Sequence, residues 1–506
     1  MAPVNIASVT KQLSEKGVPF KCASDPDWAA YSSSYNIRLP FTPAVVVLPH
    51  EDQQIEHALA CAREHGLKVQ ARSGGHSYAS HSVGGVDGAM VIDMRQFQLI
   101  QIQGDHVVVN SGVRIGNLAK AIYEVSGWKQ ALPHGTCARV GLGGHLTHGG
   151  FGMFSRAWGL AMDRIIAMTV ITADGKCVYC DNKQNGDLFY VSFQILLGRT
   201  FDENILANIR IRNKAMRGAG DSFGIVKSFY LNPEPAPNSV LHWSISINDV
   251  TKSVKRAMNA LKQVQKVVHN PSVVDRQLGV QLSFSSNHFS IDGSYLGPVD
   301  TLEHKILPAL LSKIPEDNRT MVIEYDWLES IRSFNQGQDI ATDPSSMFQE
   351  HLNFFAKSVV VPEPGFTQKA MHSFFTYLLN EGARAPVGYF ILFDLYGGND
   401  SKIHSGGADF SAFAHRNACW VIQLHGYTGN NQVFPQEGID FITGLANSIT
   451  SVLPNCGAYA NYTDPTLSRE EAHKLYFGDM SKILWKLKKK WDPDNLFHNP
   501  QSILAD

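Results

Sequence analysis

The chain carries no excess charge of either sign. Its 44 Lys and Arg stand against 46 Asp and Glu, a formal net charge of -2. Without a basic excess or a long basic stripe, nucleic acid is not an expected partner. No apolar run approaches the roughly 18 to 20 residues that span a bilayer, so no membrane partner is expected either. The N-terminal MAPVNIASVTKQLSEKG lacks the basic and then apolar order of a signal peptide, which leaves an intracellular protein or a truncated start. Only 7 Cys occur in 506 residues, too few for a disulfide scaffold. Their odd number leaves at least one thiol unpaired or used in chemistry. No G-x-x-x-x-G-K-[ST] loop is present, and no G-x-G-x-x-G opens a helix. His134, His145 and His148 have neither an H-E-x-x-H frame nor a carboxylate at ligand spacing, so no metal is expected.

What is present points to a folded enzyme. Hydrophobic residues make up 44% of the chain and aromatics 10%. At about 150 residues per domain the length allows two to four domains. The first half alternates helix and strand signals: IEHALACAREHG is followed by the strand KVQARSGG, and AMVIDM, HVVVNSG and IIAMTVI read as buried strands. The texture changes at about Asn232, after LNPEPAPNS. Beyond it lie VLHWSISI, LGVQLSFS, FSIDGSYLG, TMVIEYDW, YFILFDLYGG and CWVIQLHGY, with helical stretches near 251–269 and 366–381. Strands returning at such intervals predict an α+β protein with one broad antiparallel sheet backed by helices. Ser468 and Glu471 form a capping box opening a helix through about Lys490, ended at Asp492-Pro493. Its KLKKK run reads as a solvated face. Cys177 and Cys180 lie three apart in a strand and so point to opposite faces. Sequons occur at Asn318, Asn399 and Asn461.

Three glycine-rich turns stand out: Arg72-Ser73-Gly74-Gly75-His76-Ser77, Gly141-Leu142-Gly143-Gly144-His145 and Arg217-Gly218-Ala219-Gly220. Consecutive glycines let backbone N–H groups converge on a phosphate without Cβ obstruction. The first turn presents His76, and Cys137 precedes the second. Taken singly, these residues read as a hydrogen-bonded turn histidine and a buried small thiol.

Taken together, ARSGGHSY, LPHGTCARVGLGGH, RGAGDSFGIV, NYTDPTLSREEAHKLYFG and WDPDNLFHNPQSI resemble the berberine-bridge-enzyme-like branch of the vanillyl-alcohol-oxidase flavoproteins, in family order and over nearly the whole chain. Among subgroups the chain is most similar to fungal glucooligosaccharide and other carbohydrate oxidases. The resemblance implies a PCMH-type FAD-binding domain, residues 1–232 with 455–506, and a substrate domain, 233–454. It also implies FAD held bicovalently, by His76 at the 8α-methyl carbon and Cys137 at C6. Arg72, Ser73, Gly74, Gly75 and Ser77 would wrap the pyrophosphate. Gly141, Gly144, His145, Gly220, Gly224, Ile225 and Val226 would line the rest of the cofactor. Val140 matches a position linked to oxygen access, which makes O2 the acceptor and hydrogen peroxide the second product.

For the reaction, the resemblance assigns Tyr462 as base and Asp394 as its carboxylate partner. An unperturbed Tyr, with pKa about 10, is a poor base alone, so a relay in which Asp394 takes the phenolic proton is expected. Tyr78, Tyr396 and Gln423 match or neighbour sugar-contacting positions. Leu392 stands where the glucooligosaccharide oxidase has Gln, which weakens the case for that sugar. Family members run directly from D-L-F-[WY] into A-L-R-G-x-G, whereas here Val191 to Lys214 intervene. Val-Ser, Ala-Asn and the final Lys fit splice-donor, branch-point and acceptor codons, so a retained intron is expected. Two other functions follow from these departures: an oxidase of secondary metabolism acting on a non-sugar alcohol, phenol or alkaloid, and a flavin-poor, non-catalytic protein. The resemblance also suggests an extracellular location, against the missing signal peptide.

Overall fold

The computed structural model describes residues 5–188, 215–247, 253–286, 288–314, 318–343, 351–406 and 411–504. The expected intron, Val191 to Lys214, lies outside the described residues. Short strands near the N-terminus, β1 (Phe20–Lys21), β2 (Val45–Val47), β3 (Val69–Arg72) and β4 (Met90–Asp93), form a sheet in the order β1-β2-β4-β3. Its inner pairs are parallel, and β2 and β4 are buried along their whole length, as a sheet covered on both faces requires. Strands β5 (Ile100–Gln103), β6 (His106–Asn110), β8 (Ile165–Ile171), β9 (Cys177–Cys180) and β10 (Ile225–Leu231) make an antiparallel sheet in the order β5-β6-β10-β8-β9, while β7 (Gln130–Ala131) pairs with β11 (Glu234–Pro235) in a small ribbon. The alternation expected at β9 is present: Cys177 is exposed and Cys180 buried.

The broad sheet has seven strands: β12 (Val240–Ile247), β13 (Leu278–Ser285), β14 (His288–Tyr295), β15 (Asn318–Tyr325), β16 (Asn353–Pro362), β17 (Gly388–Leu395) and β18 (Ala418–Thr428), in the order β15-β12-β14-β13-β17-β18-β16. Every pairing is antiparallel. Alternation along β13 sets Val280, Leu282 and Phe284 into the core while Gln281, Ser283 and Ser285 stay half-buried on the opposite face. The apolar face packs on helices Val254–Val268, Gln368–Gly382 and Gln436–Thr450, in one cluster with Phe284, Phe374, Phe393 and Trp420 at its centre. Strand β16 and the helix Gln436–Thr450 are additions to the elements read from the sequence.

The C-terminal segment returns to the first sheets. Its capping box forms as expected, but the helix it opens ends at Phe477, and Gly478–Met480 separate it from a second helix, Ser481–Trp491. Leu484 and Tyr476 join the cluster of Val107, Met168 and Phe229, while Val69 N–H donates to Leu496 O and Val69 O accepts from His498 N–H beside β3. One buried cation ties the two layers together. Arg156, on the short helix Ser155–Trp158, donates to the carbonyls of Gly397 (2.8 Å), Asn399 (2.7 Å), Asp275 (3.2 Å) and Leu278. Burial lowers its pKa to about 10, which keeps it charged at neutral pH. Among the described residues, no helix is long and apolar enough to cross a membrane.

Candidate active site

A cavity of about 380 Å³ opens between the glycine loops, the broad sheet and the returning C-terminal segment. The loop after β3 brings Ser73, Gly74, Gly75, His76, Ser77 and Tyr78 to its wall, and the second loop brings Cys137, Val140, Gly141, Gly144 and His145. Gly74 and Gly141 pack backbone to backbone, and a Cβ on either would strike the other. The two loops therefore need glycine there to approach each other, and that approach sets His76 and Cys137 on one cavity. Gly144 has open space where its Cβ would be.

His76 is half-buried, its ring packed at a tilt on Tyr35 with centroids 4.5 Å apart, and desolvation together with Arg114 and Arg139 lowers its pKa to about 4. Its imidazole is thus neutral and keeps a nucleophilic lone pair at physiological pH. Cys137 is exposed to the cavity. Gln70 Nε2 and Gln501 Oε1 line the same cavity, are buried, and have no hydrogen-bond partner in the protein. Buried polar atoms require partners, and the heteroatoms of a flavin nucleotide would supply them. The residues present fit FAD.

At the sheet side, Asp394 near the end of β17 is 2% exposed and lies opposite Gln281 of β13. Gln281 Nε2 donates to Asp394 Oδ1 at 2.7 Å, and the Tyr462 hydroxyl hydrogen-bonds the same carboxyl group. Burial raises the Asp394 pKa to about 6, against the opposing effect of these two hydrogen bonds. Burial, and then the Asp394 charge, holds the Tyr462 phenol well above its ordinary range. Tyr462 is delivered from the returning segment. Its ring stacks on Tyr78 at 5.7 Å and meets Tyr459 edge-on at 5.1 Å. The Tyr459 hydroxyl accepts from Gly150 N–H and Asn461 Nδ2, both at 3.0 Å, fixing the base of this turn. Gln423 Nε2 donates to the Tyr78 hydroxyl at 2.8 Å, and Leu392, the register partner of Gln423, lines the cavity next to Asp394.

Six of the expected residues are placed elsewhere. Arg72 is 0% exposed and does not reach the cavity: its guanidinium pairs with Asp93 at 2.7 Å and donates to Tyr31 O. It anchors the loop to β4 rather than contacting a phosphate. Tyr396, just past the end of β17, is 0% exposed and packs on Phe151 at 4.3 Å, behind the cavity wall. Gly220 packs on Thr147 and Gly224 on Val170 and Ile171, while Ile225 and Val226 are core residues of β10. Asp221 and Ser222, between those glycines, line the cavity instead. Asp221 holds His148 at 3.2 Å. Burial opposes the charge on His148, but the Asp221 pairing outweighs it and raises the imidazole pKa. Gln281, Gln70, Gln501, His148 and Asp221 are cavity residues beyond those assigned from sequence. Asp221 lies in the segment RGAGDSFGIV and Gln501 in WDPDNLFHNPQSI, whereas no motif marks Gln281.

Residues 43–181 match the model of an FAD binding domain, and residues 458–504 match the model described as berberine and berberine like. The chain is 31% identical to a chitooligosaccharide oxidase of Gibberella zeae, over 99% of its own length and 95% of the relative. It is 32% identical to the FAD-linked oxidoreductase dpmaF of Metarhizium anisopliae, over 97% and 90%. A solved structure of the glucooligosaccharide oxidase of Acremonium strictum, described as carrying a 6-S-cysteinyl, 8α-N1-histidyl FAD, superposes with a TM-score of 0.88 at 27% identity, covering 99% of each chain.

Proposed function

The chain belongs to the berberine-bridge-enzyme-like FAD-linked oxidoreductases, and from that premise we propose that it is a carbohydrate oxidase that takes hydride from a hydroxyl-bearing carbon, the anomeric carbon of a mono- or oligosaccharide, and reduces O2 to hydrogen peroxide. The observation that carries this reading is the Tyr462–Asp394 pair facing the same cavity as His76 and Cys137. Relatives that share the architecture act, by their names, on chito- and glucooligosaccharides. We read residues 1–232 with 455–506 as the cofactor unit and 233–454 as the substrate unit, since the seven-stranded sheet draws only on residues 240–428.

Bound FAD supplies the two-electron acceptor and the route to O2. His76, neutral and half-buried, and Cys137 are the residues that would hold it covalently, as the histidyl and cysteinyl links do in the Acremonium strictum relative. Tyr462 takes the substrate hydroxyl proton while passing its own to Asp394. A standing phenolate beside an ionised Asp394 is disfavoured by like charge, and the raised Asp394 pKa makes that carboxylate a competent acceptor. Gln281 fixes the carboxylate orientation, and Gln423 with Tyr78 offers polar groups to the sugar.

A second reading, an oxidase of secondary metabolism acting on a less polar alcohol, draws on Leu392 beside Asp394. Acid precipitation of the purified protein tests the cofactor assignment. Flavin is expected to stay with the pellet, and the His76→Ala, Cys137→Ala double variant is expected to lose it. A colourless pellet from folded protein overturns the covalent assignment. Peroxide release measured across sugars and across phenolic and alkaloid compounds separates the two substrate readings.

A further inference from the structure

A row of side chains at one register level crosses the front of the seven-stranded sheet. Asp394 lies opposite Gln281, Gln281 opposite Asp292 of β14, and Asp292 opposite Ser244 of β12. Opposed residues on neighbouring strands share a face with Cβ atoms about 5 Å apart. Gln281 spans the first gap by its bond to Asp394. Asp292 stands one strand further out and half-buried; its carboxylate accepts from Ser244 Oγ at 2.6 Å and from Ser290 Oγ. Among the described residues no Lys, Arg or His lies within ion-pair distance of it, although the sheltered carboxylates Asp93, Asp163, Asp464 and Asp492 each hold an Arg or Lys. The two serines use one lone pair on each Asp292 oxygen. Gln281, the register partner of Asp292 one strand in, lines the cavity, and Asp292 shares its face of the sheet just outside that wall.

We propose that Asp292 is a subsite for a primary ammonium group on the sugar unit next to the one oxidised, so that the preferred substrates are oligomers of a 2-amino-2-deoxyhexose with free amines. The proposal rests on the carbohydrate-oxidase reading above. Two strand spacings, about 10 Å, separate Asp292 from Asp394, which places the charge beside a neighbouring unit and not beside the reacting ring. An ammonium group brings three donors and a full charge to a carboxylate that two hydroxyls leave uncompensated. A neutral hydroxyl brings one donor and no charge.

The test uses the flavin-loaded full chain and initial rates of peroxide formation. Glucosamine dimer and trimer are compared with cellobiose and cellotriose at low and high salt. At low ionic strength kcat/KM for the amines is expected to exceed that for the neutral oligomers by about fivefold, and the advantage should shrink toward equality as salt screens the pair. Asp292→Asn should lower the amine-to-neutral ratio by about the same fivefold factor. If that variant fails to fold, the salt dependence of the unmodified protein decides. Equal kcat/KM for the two classes at low salt, or a preference that salt does not move, overturns the subsite and leaves the oxidase reading standing. No peroxide from any sugar overturns the oxidase reading, and the subsite with it.

Discussion

Asp394 carries two demands that oppose each other. To accept a proton from Tyr462 it must be ionised, yet burial raises its pKa to about 6. Turnover should therefore rise with pH through about 6 and level off above it, and Asp394→Asn should remove that acidic limb along with most of the rate. Tyr462→Phe, which deletes the base and leaves the cavity shape, is expected to lower kcat/KM by about 10² to 10⁴ with the bound-flavin spectrum unchanged. The stability consequence has the opposite sign. A carboxyl whose folded pKa is raised binds its proton more tightly in the folded state, so it costs stability as pH climbs from about 4 to about 6 and above. Thermal melts of Asp394→Asn should show a higher Tm than the parent at pH 8, and the gain should vanish toward pH 4. At this scale the sequence showed the motif residues and hid their partners. Gln281 lies 113 positions from Asp394 and becomes its neighbour only through the β13–β17 register. Arg72 and Tyr396 sit in or beside the motifs, yet the Arg72 guanidinium is taken up by Asp93 and the Tyr396 ring by Phe151, contacts that no motif spells out.

At the scale of elements, the boundary of the intervening segment is informative although the segment itself lies outside the described residues. Met216 N–H donates to Leu188 O at 3.2 Å, and Ala219 N–H donates to Ala215 O at 3.2 Å. Removing Val191 to Lys214 would place Met216 four residues after Leu188, so the first of these bonds becomes the i to i+4 bond of an α-helix. Leu188 and Met216, the described residues joined by that bond, already stand one helical turn apart. A chain lacking residues 191–214 should fold with a Tm no lower than the full chain and load at least as much flavin. A deletion that unfolds the protein would make the segment a required part of it. Sequencing of cDNA across the junction then asks the genetic question directly, since transcripts keeping the segment as the dominant form would end the intron explanation. Most strands were readable because each is a short apolar or alternating run between turns. Strand β16 was not: Lys357 and Ser358 interrupt its apolar run, and their reason is tertiary. Lys357 reaches Asp464, and Ser358 accepts from Tyr459 N–H at 2.8 Å. The C-terminal helix was read as continuous because its pattern hardly changes across Gly478, where a φ of 52 turns the chain.

For the molecule as a whole, the docking of the sheet layer on the cofactor layer depends on Arg156. Four backbone carbonyls from the sheet side receive its guanidinium, with no carboxylate partner in that set. Arg156→Leu keeps the volume and strands those acceptors, a loss of about 3 kcal/mol or more. Calorimetry should show a lower Tm, and a split into two transitions would reveal that the layers had been held as one cooperative unit by this side chain. The α+β character and the antiparallel sheet were legible because patterning alone sets them. The contact that joins the layers was not, since an Arg in SRAW looks like any surface cation until its carbonyls are known.

The triplet Asn461-Tyr462-Thr463 has a consequence for how the protein is made. In a host that attaches glycans during translocation, the triplet is open to modification before the chain folds. A sugar on Asn461 Nδ2 would take the atom that holds Tyr459 and would fill the cavity beside Tyr462. Secretory expression should then yield two populations that peptide mass spectrometry can separate, a glycan-bearing one without flavin and a bare one with it. Thr463→Ala, which erases the triplet and keeps Asn461, should merge them into the flavin-bearing form. The same residue that steadies the catalytic turn would thus make the choice of expression compartment a determinant of specific activity.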